Sequence, residues 1–395
     1  MRIDLLTKEY PPHIYGGAGV HVAELVRALR ETDEVQVRCF GSERAELDVS
    51  NYRVPRELEG ADAVLQTLAT DIAMANDVAG ATIVHSHTWY ANEAGRLAQL
   101  LWGIPHVITA HSLEPLRPWK AEQLGGGYRL SSDIEKRAYL SADAVIAVSA
   151  GMRNDILTAY PDIDPAKVFV VHNGIDAEKW RPRSDGDLLS KYDIDPDKRA
   201  IIFVGRITRQ KGLPYLLAAV RNLDADVQII LCAGAPDTPE IMDEVRGAVE
   251  ALRRERTGVV WIEEHLPQAE LSSLLSAATV FVCPSVYEPL GIVNLEAMAC
   301  GVPVVGTLTG GIPEVVVEGE TGWLVPIDQA TDGTGTPVDP EQFIRDLANT
   351  LAHAVSDPVC ARAMGEAARQ RAVDHFDWRS IAEQTRAVYA RVLAP

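Results

Sequence analysis

Two carboxylates eight positions apart, Glu288 and Glu296, stand in the segment Cys283-Pro284-Ser285-Val286-Tyr287-Glu288-Pro289-Leu290-Gly291-Ile292-Val293-Asn294-Leu295-Glu296-Ala297-Met298-Ala299. The segment follows a buried apolar run, and Pro289 and Gly291 suit the first turn of a helix, where backbone N–H groups are free. Glu288 then sits at the mouth of that helix and Glu296 about two turns along it. Eight residues at about 1.5 Å of rise separate them by about 12 Å. That is too far to share a proton and beyond the spacing of a paired-carboxylate glycosidase, but it suits opposite ends of one sugar nucleotide. Glu296 also falls in a largely apolar run, where an unpaired carboxylate is costly. A surface acidic pair is the competing reading.

A second constellation is Gly205-Arg206-Ile207-Thr208-Arg209-Gln210-Lys211-Gly212, directly after the apolar run 201–204. Arg206 is a forked donor and Lys211 a point charge, the two cation types that hold a diphosphate, although a solvated basic turn has the same composition. The first loop, Lys8-Glu9-Tyr10-Pro11-Pro12-His13-Ile14-Tyr15-Gly16-Gly17-Ala18-Gly19-Val20, places glycines just before a helical pattern, where backbone N–H groups can approach a phosphate. It lacks the third glycine of the dinucleotide fingerprint, and no G-x-x-x-x-G-K-[ST] occurs, so NAD binding and P-loop chemistry are both disfavoured.

His85, His87 and His111 close two first-half strands. His85 and His87 point to one side of a strand, yet no acidic or cysteine ligand accompanies them at fixed spacing, so strand-end polar groups are favoured over a metal site. Pairs such as Asp224-Ala225-Asp226 lie at no strand end, and with 56 acidic residues they are expected by chance. No metal and no other cofactor is called for if Arg206, Lys211 and helix-terminal N–H groups neutralise a diphosphate.

The elements that position these groups alternate. Short aliphatic runs at 3–7, 35–40, 82–85, 106–110, 144–148 and 168–171, then at 200–204, 227–232, 259–262, 280–283 and 302–306, are separated by helical patterns. This predicts two parallel sheets of five or six strands, an α/β fold with two Rossmann-like domains. Residues 1–180 form the first domain, 181–198 a turn-rich linker, 199–375 the second domain and 376–395 a last helix. In open α/β sheets ligands bind outside the carboxyl ends of strands, where all three loops fall.

Composition bounds the partners. With 56 acidic against 37 basic residues and a net charge of −19, the chain has no basic run for nucleic acid. Five cysteines are scattered without C-x-x-C spacing, no signal-like apolar segment follows Met1, and no stretch approaches the roughly 20 apolar residues of a membrane helix. The expectation is a cytoplasmic enzyme without membrane contact, and a homodimer is left open.

The Glu-x₇-Glu element, with Gly205-Arg206 and Gln210-Lys211-Gly212 before it and Gly310-Gly311-Ile312-Pro313-Glu314 after it, resembles the retaining GT-B glycosyltransferases. Three first-half stretches, 8–21, Val84-His85-Ser86-His87-Thr88-Trp89-Tyr90 and Ala110-His111-Ser112-Leu113-Glu114-Pro115-Leu116-Arg117-Pro118-Trp119-Lys120, are similar to the glycogen synthases of actinobacteria, a group that includes α-maltose-1-phosphate synthases. The resemblance spans essentially the whole chain. It implies two Rossmann-like domains facing across a cleft, with the last helix returning to the first domain. It implies that Arg206 and Lys211 hold the donor diphosphate, that the Gly16-Gly17 loop covers it, and that Glu288 binds the transferred glucose with the N–H groups of Leu290 and Gly291. Glu296 takes the ribose and His111 contacts the sugar near its anomeric carbon. Arg206, Lys211, Glu288 and His111 are the catalytic set so implied, and no covalent nucleophile is needed.

The activity implied is transfer of glucose from ADP-glucose to an α-1,4 acceptor. Arg117, Lys120, Tyr128 and Arg129, in the segment after His111, combine cations with aromatic rings and favour glucose 1-phosphate over a long neutral glucan. Elongation of an α-1,4-glucan from ADP-glucose or UDP-glucose is the alternative. A GT-B epimerase, a pyridoxal-phosphate phosphorylase and a non-catalytic sensor are weaker ones.

Overall fold

The computed structural model describes residues 1–14, 16–42 and 44–394, the side chains of Glu122 and Gln123 excepted. Tyr15 of the first loop, Glu43 and Pro395 therefore lie outside the described residues, as does the Glu122 side chain. The chain divides into two compact units, residues 1–174 with 378–395, and residues 175–377.

The first unit holds seven parallel strands: β1 (Arg2–Thr7), β2 (Glu34–Phe40), β3 (Val49–Tyr52), β4 (Ile83–His87), β5 (His106–Ala110), β6 (Ala144–Ala147) and β7 (Val168–Val170), in the order β3-β2-β1-β4-β5-β6-β7. The sheet has one strand more than the apolar runs predict. β3, Val-Ser-Asn-Tyr, is an edge strand covered on one side only, so it lacks the continuous apolar run of a central parallel strand. β4 runs on to His87, two residues beyond the aliphatic pattern. The helix Gly17–Leu29 buries His21, Val22, Leu25, Val26 and Leu29 along one stripe. Against it lies the last helix, Trp378–Leu393, whose Trp378, Ile381, Ala382, Val388 and Tyr389 share one core with Ile3, Leu5, Val22 and Leu25. At about 1.5–3 kcal/mol for each fully buried large aliphatic side chain, this seam is ample to hold a terminal helix in place.

The second unit holds six parallel strands: β8 (Ala200–Arg206), β9 (Gln228–Gly234), β10 (Val259–Ile262), β11 (Val280–Cys283), β12 (Val304–Thr307) and β13 (Gly322–Val325), in the order β10-β9-β8-β11-β12-β13. β8 includes Arg206, which the sequence reading put in the following loop. Residues 181–198, read as linker, carry the helix Gly186–Lys191, and its Leu188 and Leu189 are buried. The helix after β11 starts at Ile292, not at Pro289, because Gly291 precedes it with φ +90°. The helical rise of about 1.5 Å per residue therefore applies only from Ile292 onward, and the separation of about 12 Å between Glu288 and Glu296 does not follow from helix geometry.

Both sheets reverse their winding once, between β1 and β4 and between β8 and β11. These are the topological switch points, where loops diverge and leave a crevice at the strand ends. Among the described residues no helix is long and apolar enough to cross a membrane.

Candidate active site

In the second unit the loops after β8 and β11 meet at the switch point. The backbone N–H of Val286 donates to Gln210 O at 2.9 Å, tying one loop to the other. Gly212 lies at φ +64°, and a Cβ there would fall 2.0 Å from Pro284 O, so only glycine allows the approach. The result is a direct contact between two of the expected site residues: Lys211 Nζ donates to Glu288 Oε2 at 2.6 Å. Burial acts to lower the Lys211 pKa, but the Glu288 carboxylate outweighs it and holds the ammonium above its usual range. Ser285 Oγ donates to the same Glu288 oxygen at 3.0 Å.

Glu288 is also held through its backbone. Its carbonyl accepts the Gly311 N–H at 2.9 Å, and Gly310, at φ +55°, leaves no room for a Cβ, which would lie 2.1 Å from that carbonyl oxygen. Arg206, at the end of β8, forms an ion pair with Asp237 at 2.7 Å, in the loop after β9. Asp237 was not anticipated from sequence; its signal is its place after a strand end, beside the turn in which Ile207 N–H bonds Gly234 O.

Leu290 is buried and Gly291 leads into the helix Ile292–Ala299. On that helix Glu296 is buried, and burial pushes its carboxyl up to about 8, against the opposing charge of Lys211. Asn294, two residues before it, is fully buried with both amide atoms lacking a protein partner. An orphaned amide is costly in a packed interior, and this one stands between Gly291 and Glu296 in the sequence. An asparagine inside an apolar helical run was the signal for it.

In the first unit, the ends of β4 and β5 and the helix Gly17–Leu29 gather four imidazoles. His87 Nδ1 lies 3.0 Å from His111 Nε2. His21 packs edge-on against His111 with ring centroids 4.7 Å apart, and its Nδ1 lies 2.8 Å from Asn173 Oδ1. His85 is satisfied on both sides, by Tyr389 Oη and Thr109 Oγ1 at 2.7 Å each. Burial, and then the neighbouring imidazoles, hold His85, His87 and His111 well below their usual pKa, and burial brings His21 to about 4. All four are neutral at neutral pH. His21 joins the expected pair only through the fold, because it comes from a helix rather than a strand end. His21, His87 and His111 present ring nitrogens within 4.8 Å of one another, a grouping able to hold a divalent ion.

The glycine loop is arranged differently from the sequence expectation. Gly16 N–H donates to Glu9 Oε2 at 3.0 Å, so a buried carboxylate takes the donor that was expected to face a phosphate. Gly17 is the first residue of the helix.

The segment after His111 is anchored from below. Tyr128 Oη donates to Glu114 O at 2.6 Å, Ser131 Oγ donates to Glu114 Oε2 at 2.7 Å, and Glu114 N–H donates to Glu135 Oε1 at 2.9 Å. Tyr160 Oη also donates to Glu135 Oε1, at 2.5 Å, and burial with the Glu114 charge pushes Glu135 up to about 8. Tyr128 thus straps the segment down. Arg117 donates to Ser112 Oγ at 3.1 Å, and Lys120 is buried with Nζ 5.9 Å from the Tyr90 ring centre. Arg129 is exposed on the first turn of the helix Gly127–Ser141.

Comparison with known proteins places this geometry. The sequence profile of Glycosyltransferase Family 4 matches residues 15–179 and that of Glycosyl transferases group 1 matches residues 187–371. The chain is 54% identical over 397 residues to the alpha-maltose-1-phosphate synthase of Mycobacterium tuberculosis, covering 100% of both chains. It is 30% identical over 434 residues to the glycogen synthase of the same organism, covering 98% of this chain and 94% of that one. Among solved structures, HepE of Anabaena in complex with UDP-glucose superimposes with a TM-score of 0.77 at 20% identity, covering 99% of this chain and 100% of that chain.

Two Rossmann-like units, each with polar side chains gathered at the switch point of its parallel sheet, define a GT-B glycosyltransferase fold. The chain belongs to the glycosyltransferases of family 4 and group 1, and it is a hexosyltransferase.

Proposed function

We propose that this hexosyltransferase moves glucose from ADP-glucose to glucose 1-phosphate, with retention at the anomeric carbon, and so makes maltose 1-phosphate. The second unit serves the donor. Arg206 and Lys211 stabilise the negative charge that develops on the departing diphosphate. Glu288 accepts hydrogen bonds from the hydroxyls of the transferred glucose, and Glu296 takes the ribose. Acceptor attack from the face that the diphosphate leaves, with that phosphate taking the acceptor proton, needs no covalent carboxylate. A neutral His111 hydrogen-bonds the sugar, which fits an imidazole whose proton affinity burial has suppressed.

The observation that carries the donor half is the 2.6 Å contact of Lys211 with Glu288, because it sets the cation proposed for the diphosphate beside the carboxylate proposed for the sugar. The acceptor half is supported by the buried Lys120 beside Tyr90. It is supported too by the full-length relative at 54% identity, an alpha-maltose-1-phosphate synthase. Elongation of an α-1,4-glucan is the second reading, favoured by the relative named glycogen synthase at 30% identity. Mass analysis of the products from ADP-glucose with either acceptor separates the two. A disaccharide phosphate is expected; ready glucan elongation without that product overturns the acceptor assignment.

A further inference from the structure

Lys8 follows β1 directly and is half-buried. Its ammonium stands 3.8 Å over the centre of the Tyr90 ring, and Lys120 Nζ lies 5.9 Å from the same centre. Tyr90 is backed by Trp89, stacked on it at 4.1 Å. The connections that supply these groups follow β1, β4 and β5, which are adjacent at the switch point of the first sheet; Tyr90 lies in the first turn of the helix Trp89–Trp102 and Lys120 begins the helix Lys120–Leu124. Two ammonium groups therefore gather around one aromatic ring at the place where such a sheet binds its ligand.

Desolvation makes the Lys8 ammonium costly where it stands: burial holds its pKa below its usual value, against the neighbouring charge of Glu9. Glu9 itself is turned to the Gly16 N–H. Among the described residues no carboxylate lies within ion-pair distance of Lys8, whose contact is the face of Tyr90. A cation–π contact contributes only about 0.5–2 kcal/mol. It fixes the position of the ammonium and leaves its three N–H donors to serve a further partner.

We infer that Lys8, held over Tyr90, forms with Lys120 a subsite for a phosphate monoester dianion. This rests on the reading of the acceptor as a sugar phosphate and deepens it, because it assigns the phosphate to the β1 and β5 loops together. Lys8 binds the phosphate; Tyr90 positions the Lys8 ammonium through the face of its ring.

The test is Lys8→Met, which keeps an unbranched side chain over Tyr90, beside Lys8→Arg, in the full-length enzyme. The expected result is a rise of about tenfold or more in both the KM for glucose 1-phosphate and the inhibition constant of inorganic phosphate against it, as for a lost charged hydrogen bond. Lys8→Arg should stay near wild type and the KM for ADP-glucose should not move. An unchanged dissociation constant of glucose 1-phosphate for Lys8→Met, measured calorimetrically, overturns the subsite. The two failures are separable: product mass with the wild-type enzyme judges the acceptor reading, whereas binding to Lys8→Met judges the subsite without turnover.

Discussion

Lys211 and Glu288 stand 77 residues apart in sequence, yet Nζ and Oε2 are 2.6 Å apart in the fold. The contact exists because β8 and β11 are neighbours at the switch point, so the loops that follow them share one crevice. Lys211→Ala and Arg206→Ala should each lower kcat by about 10²-fold, the loss of one charge-stabilising group in the transition state. Lys211→Ala also strands the Glu288 carboxylate, whose side chain is only 7% exposed, and should cost about 1–3 kcal/mol of stability. Adding Glu288→Gln should restore most of the melting temperature and none of the turnover. Near-normal kcat with an unchanged donor KM in either single variant would remove that residue from the site.

The Glu296 carboxyl gives a stability signature with a definite sign. Burial raises it from the usual 4.5 to about 8 in the folded chain. Across that window the folded chain keeps a proton that the unfolded chain has lost, so stability falls as pH rises and levels off above about 8. Glu135, also near 8, acts in the same direction. Glu296→Gln removes its share of the slope, so its melting temperature relative to wild type should climb between pH 5 and pH 8. A flat difference would mean that Glu296 is ionised throughout.

Metal independence follows from assigning the diphosphate to Arg206 and Lys211. Activity should survive EDTA in full. The His21, His87 and His111 trio makes the opposite result concrete. Loss of activity on chelation, restored by Mn²⁺ or Mg²⁺ and absent in His21→Gln, would move a metal into the mechanism.

Lys120 and Arg129 should separate in the acceptor kinetics. Lys120 is buried beside Tyr90, whereas Arg129 is exposed. Lys120→Met should raise the KM for glucose 1-phosphate about tenfold, as for a desolvated charged contact. Arg129→Ala should change it by about twofold or less, since exposed charges contribute little. Equal effects would place Arg129 in the subsite as well.

Gly310→Ala tests how Glu288 is held. The new Cβ would meet Glu288 O at 2.1 Å, on a backbone at φ +55° that alanine adopts poorly. The loop must shift, so kcat should fall at least about tenfold with a loss of about 1–3 kcal/mol in stability. A neutral substitution would show that the Glu288 backbone position is not critical.

The amino-acid sequence by itself determined the alternation of strands and helices, because parallel strands covered on both faces must be continuous apolar runs. It also marked Arg206, Lys211, Glu288, Glu296 and His111, since each is a polar group next to such a run or a carboxylate inside one. Edge strand β3 stayed hidden because a strand covered on one side needs no apolar run. What paired with what was decided only in three dimensions. The order of strands set Lys211 on Glu288, brought His21 from a helix to His87 and His111, and set Lys8 and Lys120 around Tyr90. A local pattern reports which face of an element is buried. Which loops become neighbours is a property of the winding of the whole sheet, and side-chain contacts between those loops are settled there.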